Sequence, residues 1–297
     1  ISRRMHGQAW LMVEFRRETH EASMSDIFEK FDLHGRTAIV TGGAGLLGRQ
    51  FSLALAQAGA NILVADLAQT AADAHAFTLR EQGLHAEGIG VDVTDSNSTR
   101  AMAQAAQEIF GSLDILVNSA ALDPKFDPAN AGSQGANAFE SYSLDSWRQA
   151  LDVNLTGMFL ASQAAVQPML AAGKGVIINI CSTYGLAGPD QRLYERPDGT
   201  RSFKPVYYSV TKAGVLGFTR YLAAYYAGKN IRVNALTPGG VYNGHDDIFT
   251  AQYSARTILG RMANIDEMSA AMLFLCSDAS SYMTGSNLVV DGGWTAW

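Results

Sequence analysis

The sequence predicts an α/β fold: a doubly wound parallel sheet of about seven strands with helices on both faces. Three observations predict it. Short runs of branched apolar residues alternate with amphipathic stretches along most of the chain. The runs are apolar throughout rather than at every second residue, as strands buried on both faces require. No Pro- or Ser-rich linker interrupts the series, so residues 33–297 read as one domain.

Each element has its own signal. Thr37-Ala38-Ile39-Val40 is the first strand, and a glycine cluster leads from it to Leu47, Phe51 and Leu55, which share one helical face. Asn61–Asp66 is the second strand, followed by a helix over 70–82 and a third strand ending near Asp92. Asp95 is placed to cap a helix running to Phe110. Leu113–Asn118 and Gly175–Cys181 are the fourth and fifth strands, with a long helix over 152–172 between them. A helix over Tyr208–Gly228 and strands at Ile231–Leu236 and Asn287–Val290 complete the sheet. Leu122–Ser143 and Pro189–Pro205 are too long for plain connections and read as functional or disordered segments.

Composition narrows the class. With 47% hydrophobic and 17% charged residues, the 297-residue chain has the makings of a buried core. A net charge of −6 with no basic run argues against a nucleic-acid or anionic-membrane partner. No apolar run approaches the roughly 18 residues of a spanning helix. Cys181 and Cys276 are the only cysteines, which leaves no disulfide framework and fits a reducing, cytoplasmic setting. Residues 1–32 read as an N-terminal extension, either upstream or added sequence or a loose arm, because Met24-Ser25-Asp26 resembles a natural start.

Thr41-Gly42-Gly43-Ala44-Gly45-Leu46-Leu47-Gly48 lies between a strand and an amphipathic helix. Glycine permits the tight turn and the close approach of backbone to a pyrophosphate, and the helix N-terminus offers N–H groups and a positive dipole end. Gly42, Gly45, Leu46, Leu47 and Gly48 are therefore candidate cofactor contacts, and the fold reads as Rossmann-type. Asp66 ends the second strand, where a carboxylate accepts hydrogen bonds from both adenosine-ribose hydroxyls and repels a 2′-phosphate. It could instead only start the following turn. Leu67 beside it offers no phosphate contact, so NAD(H) is expected rather than NADP(H).

Tyr208 and Lys212 stand four apart, one helical turn from each other. An ammonium there lowers the phenol's pKa, and the phenolate can exchange a proton with a substrate hydroxyl while hydride moves to nicotinamide. An exposed helical pair is the plainer reading of the same spacing.

Further segments follow in a fixed order: Gly90-Val91-Asp92-Val93, Asn118-Ser119-Ala120-Ala121, Asp152-Val153-Asn154, Asn179-Ile180-Cys181-Ser182, Asn234 to Gly239, and Asp291-Gly292-Gly293. With the glycine turn, Asp66 and the Tyr–Lys pair, they resemble the short-chain dehydrogenase/reductase family from Leu33 to Trp297. The resemblance implies Tyr208 as general acid/base and Lys212 as its partner on the nicotinamide ribose. It implies Ser182 on the substrate oxygen and Asn154 in a water-linked proton relay. Asp92 and Val93 would meet the adenine, Asn118 and Ala120 would lie beside the cofactor, and Pro238, Gly239 and Val241 would pass the nicotinamide. A homodimer or homotetramer is implied too, with Trp294 and Trp297 at an interface. Plainer readings stay open: Ser182 as a turn cap, Asn154 as a structural hydrogen-bonding residue, Cys181 as a packed thiol. His245 with Asp246 and Asp247 reads as solvated surface, so no metal is expected.

Departures from the family pattern matter. Leu46 replaces the usual middle glycine, and the spacing Gly42, Gly45, Gly48 resembles the larger epimerase-type branch. Asn118-Ser119-Ala120-Ala121 lacks the family's glycine, and Asn243 stands where a threonine is common. Ser182 and Tyr208 are 26 residues apart, roughly twice the family gap. The insert, 189–205, carries Arg192, Arg196, Arg201 and Lys204, suited to an anionic or polyhydroxylated substrate or to pairing with Asp190, Glu195 and Asp198. This variant is similar to oxidoreductases of flagellin modification and surface-sugar biosynthesis. The expected activity is NAD(H)-dependent interconversion of a secondary alcohol and a ketone on a small carbohydrate or sugar-phosphate-like substrate. A generic alcohol, steroid or acyl-thioester reductase, a transient-redox isomerase or dehydratase, and a non-catalytic NAD-binding sensor remain as alternatives.

Overall fold

Seven parallel strands form one sheet in the order β3-β2-β1-β4-β5-β6-β7. They are β1 (Thr37–Thr41), β2 (Asn61–Asp66), β3 (Ala86–Gly90), β4 (Ile115–Asn118), β5 (Gly175–Ile180), β6 (Ile231–Pro238) and β7 (Asn287–Val290). The computed structural model describes residues 26–123, 135 and 137–297. The expected extension 1–32 therefore lies mostly outside the described residues, as does much of Leu122–Ser143.

The strand interiors are apolar at every position because each face has its own core. Ala38, Val40, Ile62, Val64, Ile115, Val117, Val176 and Ile178 point one way. There they meet α1 (Leu46–Gln57) through Phe51 and Leu55, α2 (Gln69–Arg80) through Ala72, Ala76 and Leu79, and α8 (Ser269–Cys276) through Met272 and Leu275. Ile39, Leu63, Ala65, Leu116, Ile177 and Val233 point the other way. They meet α3 (Ser96–Phe110), α5 (Gly157–Ala172) and α6 (Val206–Tyr225). The alternation is the ordinary period of a strand, and the two helical layers are why it does not show as polar and apolar in turn.

Most expected elements hold within two or three residues. Asp95 caps α3 by accepting from Asn97 N. The long helix begins eight residues before the expected 152. Ser143 accepts from Ser146 N at the start of α4 (Leu144–Leu151), and a π-helical turn, Asp152–Thr156, joins α4 to α5 without a break. The polar face of α4 and the surplus residue in the π turn hid this continuity from a 3.6-residue pattern. Two more helices, α7 (Asp247–Ser254) and α8, lie between β6 and β7, where no helix was predicted. Among the described residues no helix is long and apolar enough to cross a membrane.

Candidate active site

The strand order reverses between β1 and β4, so the chain parts there at the carboxyl ends of the strands, the usual place for a ligand crevice in such sheets. Gly42 leaves β1 with φ of 62°, and a Cβ on it would lie 2.9 Å from Ala120 Cα. A Cβ on Gly48 would lie 2.1 Å from Gly42 O, so α1 can approach the turn only with glycine there. Gly43, absent from the expected contacts, is equally constrained: its Cβ would stand 2.8 Å from Val40 O. Gly45 is the N-cap of α1 and no side chain caps it, which leaves the start of Leu46 and Leu47 facing the crevice. Asp66 Oδ2 accepts from Ala44 N at 3.1 Å, and Arg49 Nε donates to Ala44 O at 2.8 Å. The glycine cradle, the uncapped helix end and a carboxylate at the tip of β2 fit a dinucleotide.

The remaining expected cofactor residues surround this crevice. Thr41 Oγ1 accepts from Ser119 N and Ala120 N at 3.1 and 3.2 Å, holding the exit of β4 against the glycine turn. Asp92 is exposed and accepts from Thr94, while Val93 packs against Gly157. Asn118 is buried and its Nδ2 donates to Ser162 Oγ and Asn179 Oδ1, both at 2.9 Å, so its amide group serves the joint between β4, β5 and α5. After Pro238, Gly239 N donates to Val290 O and Gly240 N to Tyr253 Oη, and Val241 bridges to Ala263.

Ser182, Tyr208 and Lys212 converge where β5 ends against α6. Ser182 does cap the turn after β5, accepting from Tyr184 N at 3.3 Å, and it stands near enough to Tyr208 to act on the phenol's pKa. Lys212 is buried, with Nζ donating to Ile180 O at 2.9 Å and lying 5.8 Å from the Tyr208 ring centre. Burial lowers the Lys212 pKa. For Tyr208, burial dominates and pushes the phenol well above its ordinary value; the Asp123 carboxylate adds to the rise and Ser182 opposes it. The shift therefore runs opposite to the lowering expected from Lys212, because burial dominates. Asn154 lies in the π turn. Its Oδ1 accepts from Leu122 N at 2.7 Å, and its Nδ2 donates to Leu122 O and Thr211 Oγ1. It joins the segment after β4 to α6 one residue before Lys212.

The insert folds onto α7 as a short hairpin rather than an open loop. Leu193 and Tyr194 join Phe249, Tyr253, Met262 and Trp294 in a small apolar cluster. The three arginines are paired: Arg192 with Asp190, Arg196 with Asp246 at 2.9 Å, and Arg201 with Glu195 at 3.1 Å. Arg256 also binds Asp190, and these two guanidinium groups hold that carboxyl well below the usual range. Trp294, half-buried, stacks on Tyr253 within this cluster, with ring centres 4.3 Å apart. Trp297 remains exposed. His245 stacks on Phe249, and among the described residues no group of three or more His, Cys, Asp or Glu is placed to hold a metal.

Tyr184 and Tyr194 were not expected in the site. Tyr184 stands edge-on to Tyr208 and its hydroxyl lies 3.4 Å from that of Tyr194. Lys204 and Asp123 meet beside the same ring. The sequence held one signal for Lys204: it precedes Tyr208 by the same four residues by which Lys212 follows it.

A buried tyrosine with a serine and a lysine beside it, next to a dinucleotide crevice, is the arrangement of an oxidoreductase site. A family model described as "Enoyl-(Acyl carrier protein) reductase" matches residues 43–295. A cis-4-hydroxycyclohexanecarboxylate dehydrogenase of Sinomonas cyclohexanicum is 36% identical over 88% of this chain and 97% of its own length. A D-threitol dehydrogenase of Mycolicibacterium smegmatis is 37% identical over 89% of this chain and 95% of its own. The crystal structure of a gluconate 5-dehydrogenase from Burkholderia cenocepacia, in complex with NADP and tartrate, superposes with a TM-score of 0.79 at 30% identity, covering 92% of this chain and all of that one. The chain belongs to the short-chain dehydrogenase/reductase family, whose members bind nicotinamide cofactors. It is an enzyme of that family acting on CH–OH groups.

Proposed function

We propose that the protein is an NAD(H)-dependent secondary-alcohol dehydrogenase for a small polyhydroxylated or hydroxylated-ring substrate. The observation that carries this reading is the convergence of Ser182 and Tyr208 at the end of β5, with Lys212 buried one turn along α6. Bound nicotinamide would supply the hydride acceptor or donor. Ser182 then orients the substrate oxygen, Tyr208 takes or returns its proton, and Lys212 holds positive charge beneath the phenol. Asp66 supports NAD(H), because its carboxylate at the tip of β2 opposes a second negative charge on the ribose. The related gluconate 5-dehydrogenase carries NADP, so cofactor choice is a direct test of Asp66.

Three relatives are named for alcohols on small polar carbon skeletons, threitol, gluconate and a hydroxylated ring acid, and others at 36% identity for hydroxysteroids. The wall of Tyr184, Tyr194 and Trp294 suits such a skeleton, with apolar ring faces against carbon and hydroxyls toward polar groups. Since Arg192, Arg196 and Arg201 are engaged by carboxylates, a neutral or carboxylated substrate fits better than a phosphorylated one. The test is a parallel fluorescence titration with NADH and NADPH, then oxidation rates on D-threitol, gluconate, cis-4-hydroxycyclohexanecarboxylate and a sugar phosphate. Tighter NADH binding with turnover of one unphosphorylated probe is the expected result. NADPH preference removes the role of Asp66, and turnover confined to the sugar phosphate removes the substrate reading.

A further inference from the structure

A second lysine meets the Tyr208 ring. Lys204 closes the insert, and its Nζ lies 4.0 Å from the ring centre, nearer than the Nζ of Lys212. It is held at both ends. Gln191 Oε1 accepts from Lys204 N at 2.9 Å while Gln191 Nε2 donates to Lys204 O at 3.4 Å. Its ammonium is bound by Asp123 Oδ1 at 2.6 Å, and Asp123 lies in the segment that Asn154 anchors through Leu122. A cation fixed in this way on an aromatic face is preorganised to act on it.

We propose that Lys204 is a positioning residue for Tyr208: its ammonium on the ring face favours the ionised phenol, and Asp123 sets how much of that charge the ring feels. The inference rests on Tyr208 being the acid/base group. A cation prefers a phenolate to a phenol, because the oxygen's negative charge spreads into the ring that the cation already faces. The Asp123 carboxylate acts in the opposite sense and is among the groups that hold the phenol high. Lys212 faces the ring from α6, Cys181, Ser182 and Tyr184 from the end of β5, and Tyr194 from the insert. His245, on the loop after β6, feels both Lys204 and Asp123. An opposite charge at this range shifts a titrating group by about 1–3 pH units. That is enough to offset part of the burial acting on Tyr208.

Three variants separate this from a simple clamp: Lys204→Met, Lys204→Arg and Asp123→Asn. The readout is the pH profile of kcat for oxidation of D-threitol or cis-4-hydroxycyclohexanecarboxylate. Lys204→Met should move the acid limb up by about one pH unit, making kcat about tenfold lower on that limb while the alkaline plateau and KM are kept. Lys204→Arg should stay near wild type, and Asp123→Asn should move the limb down. A structural clamp predicts the same loss from either half of the ion pair, so shifts of one sign in both variants, or no shift in Lys204→Met, overturn the inference. A second readout needs no substrate: the near-ultraviolet phenolate titration of each variant, taken as a difference from the same variant carrying Tyr208→Phe. Midpoints should rise from Asp123→Asn through wild type to Lys204→Met, and coincident midpoints overturn the inference. If wild type oxidises neither probe while the midpoints separate, the proposed substrate class fails and Lys204 keeps its role.

Discussion

At Tyr208 one oxygen is pulled two ways, upward by burial and Asp123, downward by Ser182. On the proposed mechanism the phenolate accepts the proton in oxidation, so the rate should climb as pH rises toward the raised phenol pKa. Reduction needs the protonated phenol and should hold its rate at neutral pH and fall only in alkali. Initial rates in both directions across pH check the two signs. Tyr208→Phe should cut turnover by about 10²–10⁴-fold while NADH affinity, read by fluorescence, changes little. Asp66→Ala should weaken NADH binding and narrow its margin over NADPH, which the same titration measures. That Tyr208, Lys212 and Ser182 come together was legible, because two of them lie one helical turn apart and the third follows a strand end. Asp123 was not: it reaches Lys204 across 81 residues, and only the fold brings the two together.

Among the elements, the turn from β1 into α1 depends most on residue type. A methyl on Gly48 would meet Gly42 O, a backbone atom that cannot swing aside. Gly48→Ala should therefore push α1 off the turn, lowering the melting temperature and abolishing NADH binding in the same titration. The seven strands were legible from apolar runs because both faces of the sheet are covered. Two kinds of element were not. The α4–α5 helix carries a π turn at Asp152–Thr156, which shifts the apolar phase by one residue. The helix α8 is apolar all round, with Ala, Met, Leu, Phe and Cys and little periodicity to read.

Over the whole molecule, aromatic side chains remain outside on two neighbouring helices: Phe159 on α5, and Tyr221 and Tyr225 stacked on α6. A face of this kind fits the homo-oligomer expected from the family resemblance. Light scattering after size exclusion should give a dimer or tetramer, and Tyr221→Lys with Tyr225→Lys should reduce it to smaller species. The insert has a different standing in the molecule. Its two ends are drawn together, since Gln191 clasps the main chain of Lys204 and Glu195 bridges Arg201 within the hairpin. A segment with a closed neck can be lengthened, trimmed or exchanged without re-routing the strands on either side. Because Tyr194 and Lys204 both ride on it, such an exchange replaces the groups set against Tyr184 and Tyr208 as a unit and leaves β5 and α6 where they are. Diversification within this scaffold has a ready-made socket, and the pieces that fit it are interchangeable cassettes.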